Sequence, residues 1–407
     1  GRRKGLSAVL GEADSKAILN EVRSLLRDDD MGEGVRVALI RVLLMVGGES
    51  DLELALSTNS LNPKLLGVMA LKKRPGFDVV SPLRRMLKGK DQEAVFETLK
   101  LARHWKVRGL RDDVLELIST SKGELRKMAI RAYGTLAGSE GLVLLRPLAG
   151  AKDSPDAAAL GAILEIDLRE AARIGSKMLR SSGGAEYVRA LLGEFVAREG
   201  AAKALAAELE KKGINAPRAR FLYEQWIASG LFDVELSKVI SQLAGVGIGG
   251  YEFSESLAKE LAQMAKEKGD WVKGEALFHS KQLGCAACHR VGEKGGVLGP
   301  DLSAVGSGVP PERIVTEVLW PARQVKAGFV LNSITLNDNR VFHGYVKQSR
   351  DENQILLFDF VTRQTRDLSK NEIKSRDSIG SLMPETAQSL TREQVADLIA
   401  YLIGLRR

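Results

Sequence analysis

The 407-residue chain has only two cysteines and four histidines, and three of these six side chains fall together in Cys285-Ala286-Ala287-Cys288-His289. Two thiols three residues apart share one helical turn. There they can form thioethers with both vinyl groups of a porphyrin, and the histidine one residue on can rise beneath the iron as proximal ligand. The spacing predicts one covalently attached haem c, held by Cys285 and Cys288 with His289 on the metal. Two other chemistries share parts of the pattern. A Cys-x-x-Cys pair alone reads as a thiol–disulfide redox site. Cysteine and histidine together read as half of a zinc site, although structural zinc takes four ligands and the chain holds no further cysteine.

The rest of the chain has to position this pentapeptide. At 407 residues it is too long for one small electron carrier, so two or three domains are expected. The apolar fraction is 44%, as in ordinary globular proteins, while aromatics reach only 5%. Abundant alanine, leucine and glycine suit helical repeats better than a β-sandwich. No run approaches the ~18 apolar residues of a membrane span, and Gly1-Arg2-Arg3-Lys4 lacks the apolar region of a signal peptide. Covalent haem attachment to such motifs normally takes place outside the bacterial cytoplasm. The expectation is therefore a periplasmic or otherwise extracytoplasmic protein, its export signal removed or its chain one piece of a longer one. The formal charge is +8; two haem propionates would lower it to about +6, enough to steer an acidic redox partner or an anionic membrane surface. Nucleic acid is disfavoured, because the basic residues are spread among nearly as many acids and no basic run is interleaved with aromatics.

Residues 14 to 268 repeat a pattern of paired apolar helices. First helices of each pair are expected near Glu33, Asn62, Asp91, Gly123, Pro155, Gly184 and Ala216, a spacing of 29 to 32 residues. Stretches such as Val35-Arg36-Val37-Ala38-Leu39-Ile40 and Leu125-Arg126-Lys127-Met128-Ala129-Ile130 follow the i, i+3, i+4, i+7 rule of a buried helical face. Asn62-Pro63 and Ser154-Pro155 place proline in a first helical turn. A period near thirty with two helices per unit reads as an α-solenoid, and the pattern resembles degenerate HEAT repeats. Methionines and tryptophans here read as core, and His104 as a packing or surface residue. No paired carboxylates, nucleophile elbow or phosphate loop occurs in this region, and an arrayed surface of this kind usually binds or positions another protein.

Gly245 to Gly250 breaks the pattern, and a helix over 255–268 follows. From Trp271 the character changes: a short helix through Lys273-Gly274-Glu275-Ala276-Leu277-Phe278 leads into the Cys285 motif. After it come a glycine-rich loop to Gly299-Pro300-Asp301-Leu302, a helix over 311–320 and a terminal helix over 391–405 with a capped entry at Thr391. Residues 271 to 407 resemble a class I cytochrome c. The resemblance rests on Gly274 and Phe278 before the haem motif, on Gly299-Pro300-Asp301-Leu302, and on Asp397-Leu398-Ile399-Ala400-Tyr401-Leu402 in the last helix. It implies that the Pro300 carbonyl accepts a hydrogen bond from His289, fixing the ring and its tautomer. It also implies that a loop before the terminal helix supplies the distal iron ligand. Met383, in Ser381-Leu382-Met383-Pro384, stands there and is the only methionine after His289. A thioether opposite imidazole raises the potential and suits electron transfer. A packed core methionine is the alternative, and His343 in Val341-Phe342-His343-Gly344-Tyr345 is the rival ligand.

Between His289 and Met383 the chain is longer than a minimal cytochrome needs. Strands are expected over 330–336, 340–347, 355–361 and 364–368, with a turn at Asn337-Asp338-Asn339, which makes residues 330–368 a small antiparallel β insertion. The expected architecture is mainly α: a HEAT-like α-solenoid over 1–269 and a class I cytochrome c domain over 270–407 that carries the insertion. The combination resembles the haem-binding domain proteins of planctomycetes and verrucomicrobia, members of which often carry a β-propeller resembling sugar dehydrogenases. No propeller occurs here, so any dehydrogenase activity would belong to another segment or partner. The expected function is electron transfer by a monohaem cytochrome, from a dehydrogenase to a downstream carrier. Two other readings compete with it: a scaffold in which the haem is secondary, and a catalytic or sensory haem with an open distal site.

Overall fold

The structure, a computed structural model, describes residues 12–27, 31–58, 60–151, 156–181, 183–231, 233–246, 250–281, 283–349 and 351–406. The chain is mainly α, with helix over 62% of it and a small antiparallel sheet. It divides into two compact units, one ending at Ala171 and the other beginning at Ala172.

In the first unit lie α1 (Glu12–Leu25), α2 (Glu33–Val46), α3 (Glu49–Ser57), α4 (Pro63–Met69), α5 (Val80–Leu87), α6 (Gln92–His104), α7 (Arg111–Thr120), α8 (Gly123–Ala137), α9 (Leu142–Ala149) and α10 (Ala157–Ile166). The alternate helices α2, α4, α6, α8 and α10 stack in series, each on the next. Their starts are chemically marked. The Asn62 side chain accepts from the Leu65 N–H ahead of Pro63, and Asp91 and Asp156 cap α6 and α10 in the same way. The expected proline start at Ser154-Pro155 lies outside the described residues. In α8, Ala129, Ala132, Tyr133 and Leu136 form the buried stripe that the periodicity predicts. Ion pairs within this unit join residues about thirty positions apart: Arg23 with Asp51 (2.6 Å), Arg84 with Asp113 (2.9 Å) and Arg126 with Asp156.

A further helix, α11 (Leu168–Arg180), runs into the second unit. That unit continues with α12 (Ala185–Val196), α13 (Ala201–Lys212), α14 (Ala216–Ser229) and α15 (Val234–Ala244). Gly245 ends α15 in a left-handed conformation (φ 67°), and residues 247–249 of the expected glycine break lie outside the described residues. Next come α16 (Glu255–Lys268), α17 (Trp271–Phe278), the single turn α18 (Cys285–Cys288), the short strands β1 (Arg290–Val291) and β2 (Lys294–Gly295), α19 (Val305–Gly308) and α20 (Pro311–Leu319). The sheet strands β3 (Val330–Leu336), β4 (Val341–Lys347), β5 (Gln354–Asp359), β6 (Gln364–Ser369) and β7 (Ile373–Ser381) precede the last helix, α21 (Arg392–Gly404).

Helices α16, α17, α20 and α21 enclose one core that includes Leu261, Phe278, Val315, Leu319, Val395 and Ile399. At the α17–α21 crossing, a Cβ on Gly274 would overlap the Asp397 carbonyl and come within 2.8 Å of Tyr401 Cβ, so only glycine lets the two backbones touch. The crossing is also tied by the Asp270 N–H, which donates to Asp397 Oδ1 at 2.7 Å. Thr391 and Gln394 form a reciprocal capping box at the start of α21.

The sheet is antiparallel in the order β6-β5-β4-β3-β7. One face buries Ile334, Leu357 and Leu368; the other buries Leu331, Tyr345 and Phe360 together with Leu298 of the glycine-rich loop. Four strands lie where alternation predicts them. The fifth, β7, extends the sheet to Ser381, past the expected limit at residue 368. Its exposed run of Lys374, Ser375, Arg376, Asp377 and Ser378 has no buried alternation to read, because β7 is an edge strand paired only with β3.

Candidate functional site

Cys285 and Cys288 begin and end α18, and Gly284 precedes them with φ 70°. The two thiols are free and face different surroundings. Cys285 packs against the helical core, whereas Cys288 packs against the cluster of Leu298, Tyr345 and Phe360 under the sheet. Burial pushes the Cys285 thiol up to about 12 and also raises Cys288. A thiol–disulfide catalytic pair needs the opposite, since the thiolate is the nucleophile and reactive cysteines sit in electropositive, partly solvated surroundings. These desolvated thiols on one turn suit structural attachment.

The glycine-rich loop folds back over this turn. Backbone N–H groups of Gly296, Gly299 and Leu302 donate to the carbonyls of Ala286 (3.0 Å), Cys288 (2.8 Å) and Arg290 (2.9 Å). Asp301 secures the far end: it accepts from Arg290 Nη2 at 2.6 Å, from the Ser303 N–H at 2.9 Å and from Ser303 Oγ at 2.6 Å. The Ser303 and Arg290 hydrogen bonds hold its carboxyl far below the usual carboxylate range. So fixed, the loop puts the Pro300 carbonyl 2.9 Å from His289 Nδ1, and the imidazole N–H donates to it. The tautomer that results carries its lone pair on Nε2, and burial lowers the ring's pKa against the opposing effect of Pro300, which keeps it neutral. A neutral imidazole with a committed Nδ1–H is the form that ligates a metal. Gly299 lies against the ring itself: a Cβ there would stand 2.5 Å from Cε1 and 2.7 Å from Nδ1.

A cavity of about 550 Å³ opens beside Cys288, within the ~300–1,000 Å³ typical of small-molecule and cofactor sites. Its walls are mostly apolar, from Trp226, Ile227 and Leu231 on one side and Ile379, Leu382 and Pro384 on the other. Tyr223 also lines it, and the hydroxyl of this residue is buried without a hydrogen-bond partner. The donor set of Cys285, Cys288 and His289 fits a covalently held haem, although of these three only Cys288 lines the cavity.

The structure brings Cys285, Cys288, His289 and Pro300 together. Met383 lies in the loop leaving β7, half-buried, its N–H donating to Ser381 Oγ at 3.1 Å; it is not among the residues that line the cavity, although Leu382 and Pro384 on either side of it are. His343 lies on β4 opposite Ser333 of β3, 7% exposed. Burial lowers it to about 4 against the opposing charge of Asp359. Sequence reasoning missed Tyr223 and Tyr345. Burial raises the pKa of both phenols, and a nearby motif cysteine adds to the rise, Cys285 for Tyr223 and Cys288 for Tyr345. Tyr223 looks like an ordinary helical core residue at its own position in the chain, so no local signal marks it.

Among the described residues, no three His, Cys, Asp or Glu side chains converge as a metal-binding group, and no helix is long and apolar enough to cross a membrane. No protein-family model matches the chain, and no curated protein matches it in sequence.

Proposed function

We propose that this protein is a monohaem c-type cytochrome that transfers electrons outside the cytoplasm. In this reading a class I cytochrome domain is joined to a HEAT-like α-solenoid, as in the planctomycete and verrucomicrobial haem-binding domain proteins it resembles. The observation that carries the proposal is the Nδ1–H of His289 donating to the Pro300 carbonyl, directly after a Cys-x-x-Cys turn. Cys285 and Cys288 would hold the haem through thioethers, and His289 Nε2 and Met383 would ligate its iron. When bound, the haem would supply a one-electron couple, which thioether ligation would tune to higher potential. The chain's own residues keep water and competing chemistry away. The core around Phe278 and Val395 backs the attachment turn, the sheet face at Tyr345 and Phe360 covers Cys288, and β7 tethers the Met383 loop to β3 at Ser381 opposite Val330. The excess of basic residues suits an acidic redox partner, with a dehydrogenase as donor and a second carrier as acceptor.

The test is expression in a strain that matures c-type haem. Haem should remain on the polypeptide in a denaturing gel and give the pyridine haemochrome spectrum of two thioether links, and Cys285→Ala with Cys288→Ala should abolish both signals. Wild-type protein without covalent haem under these conditions would overturn the proposal.

A further inference from the structure

Basic and acidic side chains are nearly equal in number over the whole chain, yet the excess of +8 is local. Residues 71–111, in the first unit, carry twelve basic and four acidic side chains, so the rest of the chain is balanced. Two loops from successive helix pairs gather part of this excess: residues 70–79, between α4 and α5, and residues 105–110, between α6 and α7. They are fastened to each other. The Trp105 indole N–H donates to the Lys72 carbonyl at 3.0 Å, and Arg74 Nη1 lies 3.5 Å from the carbonyls of Trp105 and Lys106. Trp105, 3% exposed, is the anchor between the two loops.

The fold itself uses some of these cations. Helix C-termini favour positive charge, and Lys72 Nζ donates to the Gly47 carbonyl at 3.0 Å, while Arg74 reaches the carbonyls at the end of α6. Lys73, Lys106 and Arg108 are different: all three are exposed, and none has an ion-pair partner among the described residues. The acids close by are already engaged. Asp78 accepts from the Val80 N–H at 2.8 Å, Asp112 pairs with Arg111 at 3.1 Å and Asp113 with Arg84 at 2.9 Å. Lys106 also holds a left-handed backbone (φ 50°), where glycine is the unstrained choice. Packing therefore gives no reason for these three charges. Beside them Leu71 is 78% exposed.

We propose that these two loops form a docking surface for an acidic protein, an assignment that stands independently of the haem reading. Exposed cations without partners steer an anionic surface and fix its orientation, and Leu71 adds the apolar contact that a small polar-rimmed interface needs. Two other anionic partners fit less well. A membrane surface is held by a broad apolar face as well as by charge, whereas Leu71 is the one large apolar side chain exposed on either loop. Single-stranded nucleic acid is held by aromatic rings on which bases stack, and Trp105 is buried and committed to Lys72. The helical repeats then recruit the partner through the loops that join their helices.

The test uses the full chain and fluorescent poly-glutamate, which presents carboxylates on a polypeptide. Wild type should bind it at about 50 mM salt and more weakly at about 200 mM. Lys73→Glu, Lys106→Gly and Arg108→Glu together should weaken binding about tenfold or more. Lys16→Glu, Arg41→Glu and Lys122→Gly make the same change of charge away from the two loops and should stay within about twofold of wild type. Lys106→Gly alone removes a charge while relieving the backbone, so it should weaken binding without lowering the melting temperature, which separates lost docking from lost folding. Three results would each overturn the proposal: no binding of poly-glutamate, equal weakening by the two triple variants, or tighter binding of duplex DNA or phosphatidylglycerol vesicles than of poly-glutamate. Absence of covalent haem would overturn the proposed function and leave this result standing.

Discussion

Replacing Gly299 with alanine tests the geometry of the site at one atom. The new Cβ would stand 2.5 Å from His289 Cε1, 2.7 Å from Nδ1 and 3.0 Å from Nε2. Ordinary van der Waals contact begins near 3.4 Å, so the ring must retreat by about 0.9 Å to make room. The Nδ1–H bond to Pro300 is 2.9 Å long and ceases to be one beyond about 3.5 Å, which leaves about 0.6 Å of slack. The loop cannot easily follow the ring, because the Gly299 N–H is bound to the Cys288 carbonyl at 2.8 Å and Asp301 is tied to Arg290 and Ser303. Losing a hydrogen bond costs about 1 kcal/mol, and overpacking adds about 1–3 kcal/mol, so Gly299→Ala should destabilise the second unit by about 2–4 kcal/mol. Urea unfolding of the haem-free protein measures this, and nitrogen NMR of the imidazole reports whether Nδ1 still carries the proton. With haem attached, a weakened Nδ1–H bond makes the imidazole a poorer donor to ferric iron, so the potential should rise. Stability within about 0.5 kcal/mol of wild type together with an unchanged tautomer would refute the argument.

Met383→His should keep six-coordination and lower the potential, and Met383→Ala should open the iron to carbon monoxide; wild-type protein that binds carbon monoxide as readily as Met383→Ala would remove Met383 from the metal. His343 stays neutral in the fold, lowered to about 4 by burial from about 6.5 when unfolded. Its contribution to stability is therefore present above about pH 6.5 and is lost as the pH falls towards 4, by about 3 kcal/mol in all. The pH profile of urea midpoints should flatten in His343→Gln, and parallel profiles would count against the burial argument. Gly274→Ala should force α17 from α21 and cost about 3 kcal/mol or more. Gly193→Ala, in α12 with open space around its Cβ position, should stabilise by about 1 kcal/mol; equal thermal shifts for the two would refute the close crossing.

The helical framework and the turn that carries Cys285 and Cys288 were legible because their signals are local. Cys285 and Cys288 share one turn and His289 caps it, a placement that their spacing alone predicts. Caps such as Asn62, Asp91 and Thr391 act within three residues, and the apolar stripe of α8 is periodic along one helix. Four strands showed themselves by alternation. The fifth, β7, did not, because its pairing with β3 satisfies the backbone without burying its side chains. Pro300 was reached through a resemblance, and the fold gave it a mechanical reason: Asp301, Arg290 and Ser303 brace the loop that aims its carbonyl at His289. The repeat pattern does not say where one compact unit gives way to the next, because α12 to α15 share the helical character of the units before them while the second unit begins at Ala172. Nor does any local pattern mark Tyr223. A phenol on a helix face reads as core until another part of the chain, more than sixty positions away, leaves its hydroxyl buried without a partner beside the attachment turn. The sequence by itself determined the turn that brings Cys285, Cys288 and His289 together and most of the segments that are helix or strand, since spacing, capping and periodicity act over a few residues. Only the tertiary structure decided what surrounds that group, because burial and the loss of hydrogen-bond partners come from contacts between residues far apart in the chain.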